Sequence, residues 1–91
     1  MHIEFDPEKN EANIRNRGLS FESVSDFDFE TAVIWRDGRK TYTEVRFSAL
    51  GLLDGRLHSV IFTEVSKGIR VISFRKANQR EVKRYEQEIK S

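Results

Sequence analysis

The sequence contains no cysteine among its 91 residues. This absence excludes disulfide bonds, a catalytic thiol and every zinc site built on cysteine. Only two histidines are present, His2 and His58, so a metal site with three histidine ligands is also excluded. No other side chains have the spacing of metal ligands. We therefore expect neither a metal ion nor another cofactor.

Long apolar segments are absent as well. No apolar run approaches the roughly 20 residues that a membrane-spanning helix needs, and no hydrophobic segment typical of a signal peptide precedes residue 20. A chain of 91 residues is also short for more than one folding unit. We expect a single cytoplasmic domain that covers residues 1–91.

The two signs of charge are distributed unevenly along the chain. The formal net charge is only +1, from 16 basic and 15 acidic residues. Residues 1–30 nevertheless carry a balance of −5, whereas residues 31–91 carry +6. A chain polarised in this way can present a basic face to a polyanion although its total charge is close to zero.

Local patterns predict two helices in the N-terminal third. Residues 2–5 are interpreted as a short strand or an extended lead-in. Asp6 followed by Pro7 is typical of a helix start, because Asp accepts from free backbone amides and Pro has no amide proton to leave unpaired. Gly18 is placed to end this helix in a left-handed conformation. A second short helix is predicted over residues 20–27.

The rest of the chain predicts a sheet and one more helix. Asp54-Gly55 is typical of a two-residue type I′ hairpin turn, and Asn78 is placed to cap a C-terminal helix. The predicted strands cover residues 31–35, 42–50, 57–65 and 69–76. The predicted fold class is therefore α+β, with two N-terminal helices, a four-stranded antiparallel sheet of consecutive hairpins and a C-terminal helix.

The hairpin turns also predict which side chains share a face of this sheet. A two-residue turn in the first hairpin pairs Phe47 with Phe62, and a three-residue connection over residues 66–68 pairs Phe62 with Ile72. One face is then the core, made of Val45, Phe47, Val60, Phe62, Ile72 and Phe74. The other face is polar and carries Glu44, Arg46, Ser48, Ser59, Thr63, Ser73 and Arg75.

The polar face allows two interpretations from the residues alone. Guanidinium and hydroxyl groups that lie together suit the oxygen atoms of a phosphate. Arg75 and Lys76 can instead keep a strand end soluble and unpaired with other sheets. Glu64 and Arg70 are predicted to form a cross-strand ion pair. His58 is predicted to be a structural histidine at the margin of the core.

Three segments resemble the BrnT family of bacterial toxins in order and spacing. They are FDPEKNEANIRNRGLSFESV at 5–24, TEVRFSALGLLDGR at 43–56 and RVISFRKANQREVKRY at 70–85. The resemblance implies a RelE-like fold and a ribonuclease that inhibits translation. It also implies a neighbouring antitoxin with a ribbon-helix-helix domain, so that DNA is contacted only through the antitoxin.

The resemblance and the polar face together suggest roles for individual residues. The guanidinium groups of Arg46 and Arg75 are expected to converge on the scissile phosphate, and Glu44 is the nearby carboxylate that can act as the base. Arg17 stands where the family usually has histidine, and a guanidinium can bind phosphate but does not readily exchange a proton. RNA binding is assigned to Lys9, Arg17, Arg70, Ser73, Lys76 and Lys83.

Two other functions fit the same sequence. A non-catalytic module would use its basic strand and helix to dock an acidic partner protein, with charge setting the association rate. A degenerate toxin would still bind its antitoxin but would no longer cleave RNA. Cleavage of single-stranded RNA by the purified protein in EDTA separates the nuclease from both alternatives.

Overall fold

The structure is a computed structural model that describes residues 1–38 and 43–90. The predicted start of the second strand, at residue 42, lies outside the described residues. The elements in chain order are β1 (His2–Glu4), α1 (Pro7–Arg17), a 3₁₀ helix (Phe21–Asp26), β2 (Val33–Asp37), β3 (Arg46–Leu53), β4 (Arg56–Val65), β5 (Gly68–Lys76) and α2 (Gln79–Lys90).

The five strands form one mixed sheet in the order β1-β5-β4-β3-β2. The predicted four-stranded antiparallel sheet is wrong, because β1 joins as a fifth strand and runs parallel to β5. A strand of three residues is too short to show alternation of apolar and polar side chains. Its parallel partner lies 66 residues away, so no hairpin turn in the sequence indicates the pairing. Gly68 permits this pairing, since a Cβ there would collide with the carbonyl oxygen of His2.

The two N-terminal segments begin as predicted, but the second is not an α-helix. Asp6 accepts a hydrogen bond of 2.9 Å from the Glu8 amide, and Gly18 ends α1 at φ 67°. Ser20 likewise accepts from the Glu22 amide at 3.2 Å. The six residues that follow form a 3₁₀ helix. This short segment is rich in serine and aspartate, which compete with helical backbone hydrogen bonds.

The first hairpin has the predicted register, and the second has it only in part. Phe47 lies opposite Phe62 as expected. Between β4 and β5, however, the connection has two residues, and Phe62 lies opposite Val71. A β-bulge at Ile72 then restores the predicted pair of Val60 and Phe74. The bulge therefore moves Ile72 out of the predicted core and gives its place to the buried Val71.

The same register corrects the predicted ion pair in the second hairpin. Glu64 lies opposite Ile69, whereas Arg70 lies opposite Thr63. Arg70 instead donates a hydrogen bond of 3.1 Å to Glu4 on β1. The predicted Glu64–Arg70 pair is therefore wrong, because the shorter connection shifts β5 by one residue and the parallel strand supplies another carboxylate.

Both faces of the sheet carry an apolar cluster. The larger cluster lies under the 3₁₀ helix and is made of Phe21, Val24, Phe27, Ala49, Leu53, Val60, Phe62, Ile69, Val71 and Phe74. His58 is buried beside it, as predicted, and its Nδ1 lies 2.8 Å from the carbonyl oxygen of Arg56. Val45 was also expected in this core, but it is exposed because it lies just before β3 begins.

The second cluster lies under α2, on the face that the sequence predicted to be polar. Leu50, Leu57 and Tyr85 form its buried centre, and the guanidinium carbon of Arg84 lies 3.9 Å from the centre of the Trp35 ring. Val82 of α2 packs against this cluster, whereas Ile89 near the end of the helix is 56% exposed and lies outside it. The helix therefore covers one end of this face.

In the ranges 1–38 and 43–90, no helix is long and apolar enough to cross a membrane. His2 lies opposite Gly68 and His58 lies opposite Lys76, so the two histidines are at opposite ends of β5. Within the same ranges, no group of three His, Asp or Glu side chains is arranged to hold a metal ion.

Candidate functional site

Helix α1 lies along the part of β5 that β1 does not pair. The buried side chain of Asn13 donates through Nδ2 to the carbonyl oxygen of Phe74 and to that of Leu19, both at 3.0 Å. These two bonds satisfy a strand-edge carbonyl and the chain after α1, where unpaired buried acceptors would be costly. Asn13 therefore fixes the distance between α1 and the sheet, and two depressions form along this junction.

The larger depression is a cleft of about 400 Å³, which we call the arginine cleft. It brings together side chains from the start of α1, the start of β3 and the middle of β5. Four of the residues that the sequence assigned to the site lie here, namely the catalytic candidates Glu44 and Arg46 and the RNA-binding candidates Lys9 and Arg70. The remaining lining residues are Phe5, Asp6, Val71 and Ile72.

Arg46 and Glu44 form the sheet side of the arginine cleft. Arg46 Nη2 lies 3.4 Å from Glu44 Oε1, and the hydroxyl of Thr43 donates to Glu44 Oε2 at 3.3 Å. The Arg46 side chain is 21% exposed and that of Glu44 is 44% exposed. Thr63 donates to the carbonyl oxygen of Val45 at 2.7 Å, which holds the backbone between the two charged residues. The carboxylate thus stays open to solvent beside a largely covered guanidinium.

Arg70 forms the outer side of the arginine cleft and is held by β1. Its Nη2 donates to Glu4 Oε2 at 3.1 Å, while His2 Nε2 lies 3.1 Å from Glu4 Oε1. The hydrogen bond with His2, and next the one from Arg70, holds the pKa of Glu4 below its ordinary value of 4.5. Glu4 is therefore ionised at neutral pH and orients Arg70, although this pair is exposed.

The second depression is a smaller groove of about 240 Å³, which we call the α1 groove. It shares Lys9 and Ile72 with the arginine cleft and so continues from it along α1. Arg17 and Ser73, two further residues assigned to RNA, lie in this groove. Arg17 Nη1 is 3.5 Å from the carbonyl oxygen of Phe74. The other lining residues are Ala12, Asn13, Asn16 and Phe21.

Arg75 does not join Arg46, so the expected convergence of these two guanidinium groups is not found. Arg75 lies opposite Ser59, whereas Arg70 lies opposite Thr63, four residues further along β4. At about 3.3 Å per residue this places Arg75 roughly 13 Å along the sheet from the arginine cleft. The two arginines therefore lie at different ends of the face that was predicted to be polar, and the apolar cluster under α2 occupies part of that face.

Glu81 holds Arg75 at the base of α2. Arg75 donates through Nη1 and Nη2 to the two carboxylate oxygens of Glu81 at 2.8 and 2.9 Å. This contact raises the pKa of Arg75 and lowers that of Glu81. Glu81 also accepts from the Asn78 amide at 3.0 Å, and Asn78 Oδ1 accepts from the Glu81 amide at 2.8 Å. The spacing Asn78-x-x-Glu81 is a capping box, which could have revealed this partner in the sequence.

The last two residues assigned to RNA also lie outside both depressions. Lys76 ends β5 opposite His58, at the end of the sheet away from Arg46. Lys83 lies on α2 beside Asn78, Gln79 and Arg80. The structure therefore gathers six of the nine assigned residues along α1 and leaves Arg75, Lys76 and Lys83 near α2.

The fold and the two depressions define a small α+β domain with basic side chains gathered between α1 and a mixed sheet. A sequence profile described as "Ribonuclease toxin, BrnT, of type II toxin-antitoxin system" matches residues 5–81. The chain therefore belongs to the BrnT family of ribonuclease toxins from type II toxin-antitoxin systems. Such a toxin implies a cognate antitoxin as its partner. A search among curated proteins found no match.

Proposed function

We propose that this chain is an endoribonuclease that cleaves single-stranded RNA in the arginine cleft without a metal ion, and that this cleavage inhibits translation. One observation carries the proposal. Lys9, Glu44, Arg46 and Arg70 come from three separate elements and line a single cleft that is large enough for a phosphodiester. Three cations and the open carboxylate of Glu44 suit the transesterification of RNA, whereas Asp6, the other carboxylate of the cleft, caps α1.

The two arginines are assigned to the scissile phosphate. Their guanidinium groups can form paired, charge-assisted hydrogen bonds with phosphate oxygens, and these strengthen as negative charge grows in the transition state. Both now bind carboxylates, Glu44 and Glu4, through contacts that are either 3.4 Å long or exposed. A phosphate can replace such contacts at little cost, because exposed ion pairs contribute little to stability.

Glu44 and Lys9 are assigned to the two proton transfers. The 2′-oxygen of the RNA forms a bond to phosphorus while the bond to the 5′-oxygen breaks, which leaves a 2′,3′-cyclic phosphate and a free 5′-hydroxyl. Glu44 takes the proton of the attacking 2′-hydroxyl, and the ammonium group of Lys9 gives a proton to the departing 5′-oxygen. Arg17 contributes positive charge only, because a guanidinium does not readily exchange a proton.

Cleavage in EDTA by wild type and matched variants tests this function. Arg46→Ala should lower the rate by at least about a hundredfold, the usual loss when one preorganised donor is removed. Glu44→Gln should lower it as well, without weakening RNA binding. Arg56→Ala is the matched control, because Arg56 is an exposed arginine at the far hairpin end of the same sheet. Undiminished cleavage by Arg46→Ala would remove the arginine cleft as the active site.

The partner is proposed to be a ribbon-helix-helix antitoxin that neutralises this cleavage and alone contacts DNA. The family supplies the support for an antitoxin of some kind. The test is co-expression with the product of the adjacent reading frame, followed by a cleavage assay of the purified complex. A complex that cleaves RNA as fast as the free chain would contradict neutralisation.

A binding-only function is favoured by one specific observation. Both guanidinium groups of the arginine cleft already have carboxylate partners, so the cleft is not a bare cationic site. If the chain only binds its antitoxin, purified protein will not cleave RNA in any buffer. The Arg46→Ala variant will then lose affinity for the antitoxin instead of activity.

A further inference from the structure

The arginine cleft and the α1 groove adjoin each other at two residues. Lys9 on α1 and Ile72 on β5 line both depressions. Ile72 is the extra residue of the β-bulge, so it is displaced from the regular strand positions on either side. The bulge thus divides one continuous depression into two compartments, with the ammonium-bearing side chain of Lys9 between them.

The α1 groove has a polar wall along one side of the helix. Lys9, Asn13, Asn16 and Arg17 are spaced i, i+4, i+7 and i+8, which places them on one helical face. Lys9 and Arg17 are separated by about 12 Å along the axis, at about 1.5 Å per residue. Each strand of a nucleic acid duplex carries one phosphate charge per about 3.4 Å of helix axis, and one nucleotide of a single strand is no longer than the separation between Lys9 and Arg17. The groove is therefore long enough for a nucleotide beyond the one whose phosphate lies in the arginine cleft.

We propose that the α1 groove binds the nucleotide on the 3′ side of the scissile bond, with Arg17 bound to the next phosphate. This inference rests on the proposed function, because the roles of Glu44 and Lys9 set the direction of the RNA. Glu44 lines only the arginine cleft, so the ribose that carries the attacking 2′-hydroxyl lies there. Lys9 protonates the 5′-oxygen that departs, and the departing nucleotide therefore lies on the groove side of Lys9.

The groove contains groups that suit a nucleotide. Arg17 uses one nitrogen for its 3.5 Å contact with the Phe74 carbonyl, which orients the guanidinium and leaves its other donors for phosphate. Asn16 offers an amide that can donate and accept, and Ser73 offers a hydroxyl. Because Asn13 is buried and already bonded to two carbonyl groups, it shapes the groove without contacting the ligand.

The experiment compares short RNAs that differ by one phosphate. The probes are a dinucleoside monophosphate, the same molecule with a 3′-phosphate, and the same molecule with a 5′-phosphate. Each is made as a cleavable form and as a 2′-O-methyl form that cannot be cleaved. We expect the 3′-phosphate to tighten binding of the 2′-O-methyl form and to raise kcat/KM by about tenfold, the effect of one good charge-assisted contact. The 5′-phosphate should change either quantity less than about twofold.

Two methionine variants assign the gain to Arg17. Arg17→Met should reduce the tenfold gain from the 3′-phosphate to less than about twofold. Arg15→Met is the control, because Arg15 is an exposed arginine on α1 that lines neither depression. Equal gains from both phosphates, or a gain that survives Arg17→Met, would overturn the inference.

Failure of the proposed function gives a different pattern. In that case the wild type cleaves none of the RNAs, and Arg46→Ala does not weaken binding of any 2′-O-methyl probe. If wild type cleaves the dinucleoside monophosphate but gains nothing from the 3′-phosphate, the arginine cleft remains the active site and only the subsite is lost.

Discussion

Arg75 on β5 holds Glu81 on α2 through two parallel hydrogen bonds of 2.8 and 2.9 Å. Because Glu81 also closes the capping box of α2, this pair joins the end of the sheet to the first turn of the helix. The helix in turn covers the apolar cluster around Leu50 and Tyr85. The same arginine that the sequence suggested as a phosphate ligand therefore stabilises the packing of α2.

The first prediction concerns the role of Arg75. Arg75→Ala should lower the free energy of unfolding by about 1 kcal/mol, because the side chain is 35% exposed and solvent screens the pair. For a domain of this size the melting temperature should fall by roughly 5 °C. Cleavage of RNA at 25 °C should change less than about threefold, since Arg75 lines neither depression. A large loss of activity with an unchanged melting temperature would return Arg75 to the active site.

The second prediction concerns pH. The bond with Arg75 holds the pKa of Glu81 below its ordinary value of 4.5 in the folded protein. A lowered folded pKa contributes stability that is fully present above the unfolded pKa and is lost as pH falls through the folded value. The stability difference between wild type and Glu81→Gln should therefore be constant from pH 7 to about 5 and shrink below 4.5. Urea unfolding curves at pH 7 and pH 3 measure it, and an equal difference at both values would contradict the pairing.

The sequence predicted the first hairpin from its turn residues. It did not predict the pairing of β1 or the bulge in β5, because no local pattern indicates either of them. Asp54 and Gly55 have φ angles of 51° and 76°, as a type I′ turn requires, and this turn fixed the register of β3 on β4. No turn in the sequence indicates the pairing of β1, because its partner residues lie 66 positions further along the chain. The bulge was hidden as well, since Val71 and Ile72 are both apolar and either could have filled the core position.

The candidate site could likewise be predicted only where a regular strand and a local turn decide the position of a residue. Arg46 lies on a regular strand whose register was predicted. The predicted register placed Arg70 on the opposite face of the sheet, and it lies opposite Thr63 only because the connection between β4 and β5 is shorter than predicted. Lys9 reached the same cleft only because Asn13 binds a strand-edge carbonyl, a contact over 61 residues that no local pattern predicts. The prediction for Arg75 failed for the opposite reason. A local capping box places Glu81 where its carboxylate binds the Arg75 guanidinium.

The third prediction concerns the contact between β1 and β5. A Cβ at Gly68 would lie only 2.0 Å from the carbonyl oxygen of His2, so Gly68→Ala should displace β1. We expect a loss of about 1–3 kcal/mol in unfolding free energy, the usual cost of such a steric conflict. Gly38→Ala is the control, because nothing lies within 4 Å of a Cβ built there. Amide hydrogen exchange should show loss of protection in β1 and the start of β5, and unchanged protection there would contradict this account.

The fourth prediction concerns the salt dependence of RNA binding. Removal of one phosphate contact reduces the slope of log K against log salt by about 0.7 for a single strand. Arg70→Met should therefore reduce that slope by about this amount, whereas Lys67→Met should leave it unchanged, because Lys67 lies in the exposed β4–β5 connection outside the cleft. Fluorescence anisotropy with a 2′-O-methyl RNA between 50 and 200 mM salt, a range of about fourfold, measures both slopes.

Arg70 is also bound by Glu4, so Glu4→Gln should tighten RNA binding at every salt concentration, because the phosphate no longer competes with a carboxylate. Equal slopes for wild type and Arg70→Met would mean that the phosphate does not reach the outer side of the arginine cleft.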